Sequence, residues 1–210
     1  MESMKFWRGQ VAPLDVADVD TDQIIPKQFL KRVERTGFGK FLFYNWRYDY
    51  QGKPIENFVL NKPFYSKASI LLTRKNFGTG SSREHAVWAL MDFGFKVVIS
   101  PKFGEIFYNN ALKNCLLVIT LSEEKVDQLF KKTFSFEKKK EPYYLSVDLV
   151  EQVVYDDSGF KCSFDIDPFR KMCLVEGLDE IALTLRYESK IQEYETKRKE
   201  RFPFREFGKV

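Results

Sequence analysis

Three features of the chain predict an α/β fold. Continuous apolar runs at 69–73, 96–99 and 116–121 have the length of buried strands. Between them lie segments with apolar residues at helical spacing, among them Ala86, Ala89, Leu90 and Phe93. Beyond Pro142 the pattern switches to the alternation of antiparallel strands. Strands that alternate with helices indicate a layered sheet with parallel pairing.

In chain order, a short strand is expected over 10–14, and the four aspartates Asp15, Asp18, Asp20 and Asp22 mark 15–22 as a polar loop. Pro26 stands near the start of a short helix within 24–33, where its missing N–H costs nothing. Residues 36–39 read as a flexible link, 41–50 as an aromatic-rich segment and 51–54 as a turn. The strand at 69–73 leads into a loop, 76–82, that contains Gly78 and Gly80, and then a helix over 83–93 that Gly94 closes. The strand at 96–99 is followed by Ser100-Pro101, read as N-cap and first residue of a helix reaching 114. After the strand at 116–121, Ser122 caps a helix through 130. Lys138-Lys139-Lys140, between Phe136 and Pro142, reads as a solvated loop. A hairpin is expected from 144–149 and 152–156, with a third strand at 160–164. Helices follow at 168–176, ended by Gly177, and at 178–185. No repeat or domain boundary interrupts this order, so 1–210 reads as one domain with a helical, charged tail from about 189.

The composition narrows the function. With 44% hydrophobic and 30% charged residues the chain is globular, and 21 Phe point to an aromatic core or a buried subunit interface. A net charge of +4, spread along the chain, lacks the concentrated basic face of a nucleic-acid module. Cys115, Cys162 and Cys173 are odd in number, and with one His and no CxxC pair they do not make a self-contained zinc or iron–sulfur site. They read as buried, reduced thiols of a cytoplasmic protein. No apolar run has the length of a membrane span, and no secretory h-region is present.

The segment 76–86, Asn-Phe-Gly-Thr-Gly-Ser-Ser-Arg-Glu-His-Ala, carries chemistry. It places a glycine loop and two hydroxyls at the start of a helix, where free N–H groups and the helix dipole favour anions. Arg83 adds a two-pronged donor suited to a carboxylate. Other readings stand beside an anion site. Ser81-x-x-Glu84 is also a capping box, and the loop has some features of a phosphate cradle but lacks a third glycine or a Gly-Lys-Ser/Thr. His85 reads as a packed helix residue.

The run from Gly80 to His85 resembles a signature of the swivelling domain of the aconitase superfamily, and Val19-Asp20-Thr21-Asp22-Gln23-Ile24-Ile25-Pro26 resembles the other signature of that domain. Residues 11–16, 96–99 and 173–185 are similar to the longer, bacterial type of isopropylmalate dehydratase small subunit. Thr79 departs from the Cys found in many relatives, and 134–142 and the tail after Lys197 match least. The resemblance implies a three-layer swivelling β/β/α domain with additional strands and helices in the C-terminal part. It also implies a hydro-lyase acting on a small dicarboxylate, interconverting 2-isopropylmalate and 3-isopropylmalate in leucine biosynthesis. Ser81 would be the general base, Asp22 its hydrogen-bonding or pKa-setting partner, and Ser82 and Arg83 would hold substrate carboxylate. Substrate choice would rest on the loop 31–44, with Arg35, Thr36 and Phe38 as candidates and Phe38 suited to an isopropyl group. The chain would carry no metal or cofactor itself; a [4Fe–4S] cluster is implied on a large-subunit partner. Two competitors remain: a small subunit of a citraconate, maleate or homoaconitase-like hydro-lyase, and an RNA-binding relative, against which the acidic 15–22 segment speaks.

Overall fold

The computed structural model describes residues 3–31, 36–81 and 83–202. Strand β1 (Phe6–Leu14) lies inside a seven-stranded sheet, and its second half is buried throughout. It starts earlier than the apolar run at 10–14 because its two ends have different partners. Residues 6–10 form an antiparallel ladder with a strand far ahead in the chain, and 10–14 form a parallel ladder with the next strand.

The chain then enters α1 (Thr21–Ile24), a single turn that begins in the stretch read as a polar loop and ends where the short helix within 24–33 was expected to start. Two local causes set its bounds. Asp20 accepts from the Gln23 N–H at 2.7 Å while its own N–H donates to the Gln23 side chain at 2.8 Å, a reciprocal capping box. Pro26 then disfavours helical backbone at the residue before it, and Ile25 is extended at φ −142°. A 3-10 turn, Lys27–Phe29, follows Pro26. Another, Gly39–Phe41, leads to α2 (Tyr44–Arg47). Two more, Val59–Asn61 and Pro63–Tyr65, precede β2 (Ala68–Thr73).

The alternating stretch follows as α3 (Glu84–Phe93), β3 (Val97–Ser100), α4 (Glu105–Lys113) and β4 (Leu117–Thr120). The pairs β1–β2, β2–β3 and β3–β4 are all parallel, as the alternation predicts. One boundary differs. Ser100 is the last residue of β3 and not a helix cap; its hydroxyl sits 2.7 Å from the Arg74 carbonyl and 2.9 Å from that of Lys102. The helix waits for Gly104, because Phe77 first takes Phe103 into a β-bridge and the Gly104 N–H donates to the Phe77 carbonyl at 2.9 Å.

Ser122 caps α5 (Glu123–Lys138), which runs eight residues past its expected end at 130 and absorbs the first lysine of the basic run. The helical stripe Val126, Leu129, Phe130 and Thr133 is buried and carries the helix on across β1, β2 and β3. Strands β5 (Tyr144–Asp148), β6 (Val153–Tyr155) and β7 (Lys161–Ser163) form the antiparallel half, in the order β4-β3-β2-β1-β5-β6-β7. Asp156, at the end of β6, ties this half to α5. Its carboxylate lies 2.9 Å from Lys132 and accepts from Tyr143 at 2.6 Å and from the Ser158 hydroxyl at 2.7 Å. The chain finishes as α6 (Pro168–Glu176), α7 (Glu180–Leu185) and α8 (Glu188–Arg201).

The many phenylalanines form an aromatic interior, with Phe38, Phe43, Phe77, Phe95, Phe107 and Phe130 fully buried. Each such ring contributes roughly 1.5–3 kcal/mol by burial. The three cysteines are free; Cys173 is buried as expected, whereas Cys115 and Cys162 are half-buried, and desolvation pushes each thiol up, away from the thiolate. Among the described residues no helix is long and apolar enough to cross a membrane.

Candidate functional site

Two loops about 60 residues apart in sequence are joined backbone to backbone. The Gly78 N–H donates to the Val19 carbonyl at 2.7 Å, and the Thr21 N–H to the Thr79 carbonyl at 2.9 Å. The Thr21 hydroxyl adds a bond to the Ser81 carbonyl at 3.0 Å. Gly78 permits this approach twice over: its φ is +76°, and a β-carbon there would run into the Phe107 ring. The two segments singled out in the sequence therefore form one surface.

Asp22 and Arg83 meet on that surface. Both Arg83 Nη atoms donate to the two Asp22 carboxylate oxygens, a fork-to-fork pair with one contact at 2.8 Å. The Arg83 side chain is 9% exposed and that of Asp22 42%. The Lys27 ammonium lies 3.7 Å from the same carboxylate, and the Lys27 side chain is 75% exposed. The bond from Arg83 holds the Asp22 carboxyl below the usual carboxylate range, against a smaller upward push from burial. Asp22 is thus an anion with a cation on each side.

Ser81 is exposed, and its carbonyl is fixed by Thr21. It is not the N-cap of α3. That position belongs to Arg83, which makes no side-chain cap bond, and the Glu84 carboxylate instead accepts from Asn114 at 2.8 Å. The capping-box reading of Ser81-x-x-Glu84 is thereby corrected; the capping box of this region is Asp20–Gln23. Ser82 and Arg35 lie outside the described residues.

The stretch around the 3-10 turn Gly39–Phe41 is fastened to α3. Phe38 is wholly buried, its ring 5.2 Å from that of His85 and 5.9 Å from that of Trp88. The Phe38 N–H donates to Asp92 at 2.8 Å. Arg47 reaches the Gly39 carbonyl and stacks over Phe93. Phe38 therefore faces the helix and not the solvent, so in this conformation it acts as an anchor and does not line an open pocket. Thr36 is exposed. Burial pulls the His85 imidazole down, toward the neutral ring. Lys27 and Arg47 carried no sequence signal, since neither lies in a periodic pattern, and the helical spacing of 83–93 places Asp92 on a helix without saying what it binds. Among the described residues no group of three His, Cys, Asp or Glu side chains is placed to hold a metal ion.

Residues 1–124 match the profile of the aconitase C-terminal domain, 127–168 the LeuD_N profile, and 180–203 the C-terminal domain of the 3-isopropylmalate dehydratase small subunit. The 3-isopropylmalate dehydratase small subunit of Brevibacillus brevis is 57% identical over 190 residues, which is 90% of this chain and 96% of the relative. The chain belongs to the family of 3-isopropylmalate dehydratase small subunits. Another member, from Anoxybacillus flavithermus, is 56% identical over 94% of this chain and its own full length. The crystal structure of 3-isopropylmalate dehydratase from Methanocaldococcus jannaschii superposes with a TM-score of 0.62 at 23% identity, covering 90% of this chain and 99% of that one. That likeness bears on the fold, and it agrees with the aconitase-type α/β architecture. The whole Asp22–Arg83 surface falls inside the aconitase-type stretch, while α7 and α8 fall in the stretch particular to the dehydratase small subunits.

Proposed function

We propose that this chain is the small subunit of a 3-isopropylmalate dehydratase, a hydro-lyase of leucine biosynthesis, and that it works as a single swivelling domain with a large subunit. The observation that carries the proposal is the exposed Ser81, fixed by Thr21 beside the Asp22–Arg83 pair, in a chain of this family.

The residues divide the work as follows. Ser81, as an alkoxide, takes the proton from the carbon next to a substrate carboxylate. The electron pair left behind moves toward that carboxylate, which therefore needs donors aimed at it. Arg83 retains donors that Asp22 does not use, and these face one carboxylate together with Ser82. Asp22 holds the guanidinium in a single orientation, so little reorganisation accompanies the reaction. The positive charge of Arg83 also favours the alkoxide at Ser81. Hydroxide leaves the adjacent carbon, giving isopropylmaleate, and water returns at the other carbon to complete the isomerisation. Expelling hydroxide calls for a Lewis acid. One His and three scattered thiols do not fit an iron–sulfur cluster, and the [4Fe–4S] cluster of the large subunit supplies that chemistry. The partners are thus the large subunit and a dicarboxylate, in the cytoplasm, with no nucleic acid or membrane involved.

The test is reconstitution. Mixed anaerobically with its large subunit, the chain should convert 2-isopropylmalate to 3-isopropylmalate, with isopropylmaleate detectable by its ultraviolet absorbance. Turnover by this chain alone, or a complex that prefers citraconate, maleate or homoaconitate, overturns the proposal.

A further inference from the structure

The Asp22–Arg83 pair raises a question of supply. A dicarboxylate brings two anionic groups, but Arg83 has both Nη atoms committed to Asp22 and is 9% exposed. It has room for one carboxylate at most. A second cation on this surface is Lys27, held in the 3-10 turn that Pro26 starts. Its side chain is 75% exposed, and its ammonium touches Asp22 only loosely, at 3.7 Å. An exposed ion pair of this kind is weak, so the lysine is released from it at little cost. Asp22, Arg83 and Lys27 together carry one net positive charge, which draws an anion to the side of the trio where the lysine stands.

We infer that Lys27 is a substrate-binding residue, taking the second carboxylate of the dicarboxylate while Arg83 serves the first. This rests on the proposed dehydratase function and adds to it a residue that the two signature motifs do not mark as functional. The roles of the two cations differ because their environments differ. Arg83 is shielded and doubly bonded, so it is a fixed element of the site. Lys27 is a mobile point charge on a flexible stem, with three donors that follow the ligand. Asp22 keeps the ammonium nearby in the free protein and yields it when substrate arrives.

The experiment compares Lys27→Gln and Lys27→Arg in the reconstituted complex, with steady-state kinetics in 3-isopropylmalate and a thermal melt of each variant. Loss of a charge-assisted contact should raise KM for Lys27→Gln by about tenfold to a hundredfold, with a much smaller fall in kcat. Lys27→Arg, which keeps the charge, should recover most of the loss. The melts should coincide with wild type, because the side chain is exposed. A Lys27→Gln enzyme with KM within about twofold of wild type overturns the inference and leaves the dehydratase reading intact. So does a fall in kcat alone, or a failure of arginine to rescue. Absence of turnover in the wild-type complex would instead strike the dehydratase reading.

Discussion

At the scale of single residues, Ser81 separates chemistry from folding. A serine that caps a helix contributes about 1 kcal/mol to stability, but α3 begins at Glu84 with Arg83 as its N-cap. Ser81→Gly should therefore melt close to wild type. As the proposed general base, its loss should lower kcat at least about 10²–10⁴-fold. Differential scanning calorimetry and single-turnover kinetics of the reconstituted complex check both halves, and a variant that keeps more than about a tenth of kcat moves the base elsewhere. Asp156 gives the opposite case, a carboxylate that matters for stability and not for chemistry. Burial alone would raise its pKa. The bonds from Tyr143, Ser158, Lys132 and the Phe160 N–H outweigh burial and hold it well below the carboxylate range. Because the folded-state value is depressed, its stabilisation is fully present above the unfolded carboxylate value near pH 4, declines below it, and is lost only as pH falls through the folded-state value. Asp156→Asn should thus destabilise the protein at pH 7, by about 1–3 kcal/mol, and by less near pH 2, where the folded-state carboxylate itself begins to take up a proton. Equal losses at both values in urea titrations would contradict this. Asp22, Ser81 and Arg83 were legible because they sit in two compact motifs. The partners of Lys27 and the inward turn of Phe38 were not, since an irregular loop has no period from which to read which way a side chain faces.

At the scale of elements, backbone fit fastens the loop carrying Phe38 to α3. A β-carbon on Gly39 would stand 2.7 Å from the backbone of both Asp92 and Phe93, atoms that no side-chain rotation can move aside. Gly39→Ala should lift this loop from the helix, costing about 1–3 kcal/mol, and should lower discrimination between isopropylmalate and methylmalate-type substrates. If stability falls while the substrate ratio in kcat/KM is unchanged, the loop is structural only. The strands and helices between 68 and 120 were largely legible because each alternates a buried apolar run with a helical stripe. The start of α4 was misplaced, since Ser100-Pro101 is a good local helix start and only the bridge from Phe77 to Phe103 overrides it. α5 was cut short because its lysines hide the stripe from Val126 to Thr133, whose value appears only when it covers β1, β2 and β3. The aromatic density of 41–50 has no period, so the short helix Tyr44–Arg47 within it was not legible.

At the scale of the whole molecule, α8 stands apart from the rest. None of its residues is buried, and it is rich in charge of both signs. A chain ending at Tyr187 should therefore keep the melting temperature of the full chain to within about 2 °C, since surface changes away from packed features cost at most about 0.5 kcal/mol. Circular dichroism melts of both forms decide this. A large drop would mean that α8 contributes to the fold of the isolated chain.

The place of β1 has a consequence for synthesis. It leaves the ribosome before the other six strands of its sheet, yet it lies between β2 and β5 in the finished sheet. Its parallel edge is covered once Thr73 has emerged, and β4 completes that half at Thr120. The antiparallel edge stays bare until Tyr144–Asp148 follows, after the whole of α5 has been made. A bare strand edge invites pairing with other chains. Nascent chains stalled short of Tyr144 should thus be the ones that ribosome-bound chaperones hold and that aggregate on release, whereas chains stalled beyond Ser163 should not.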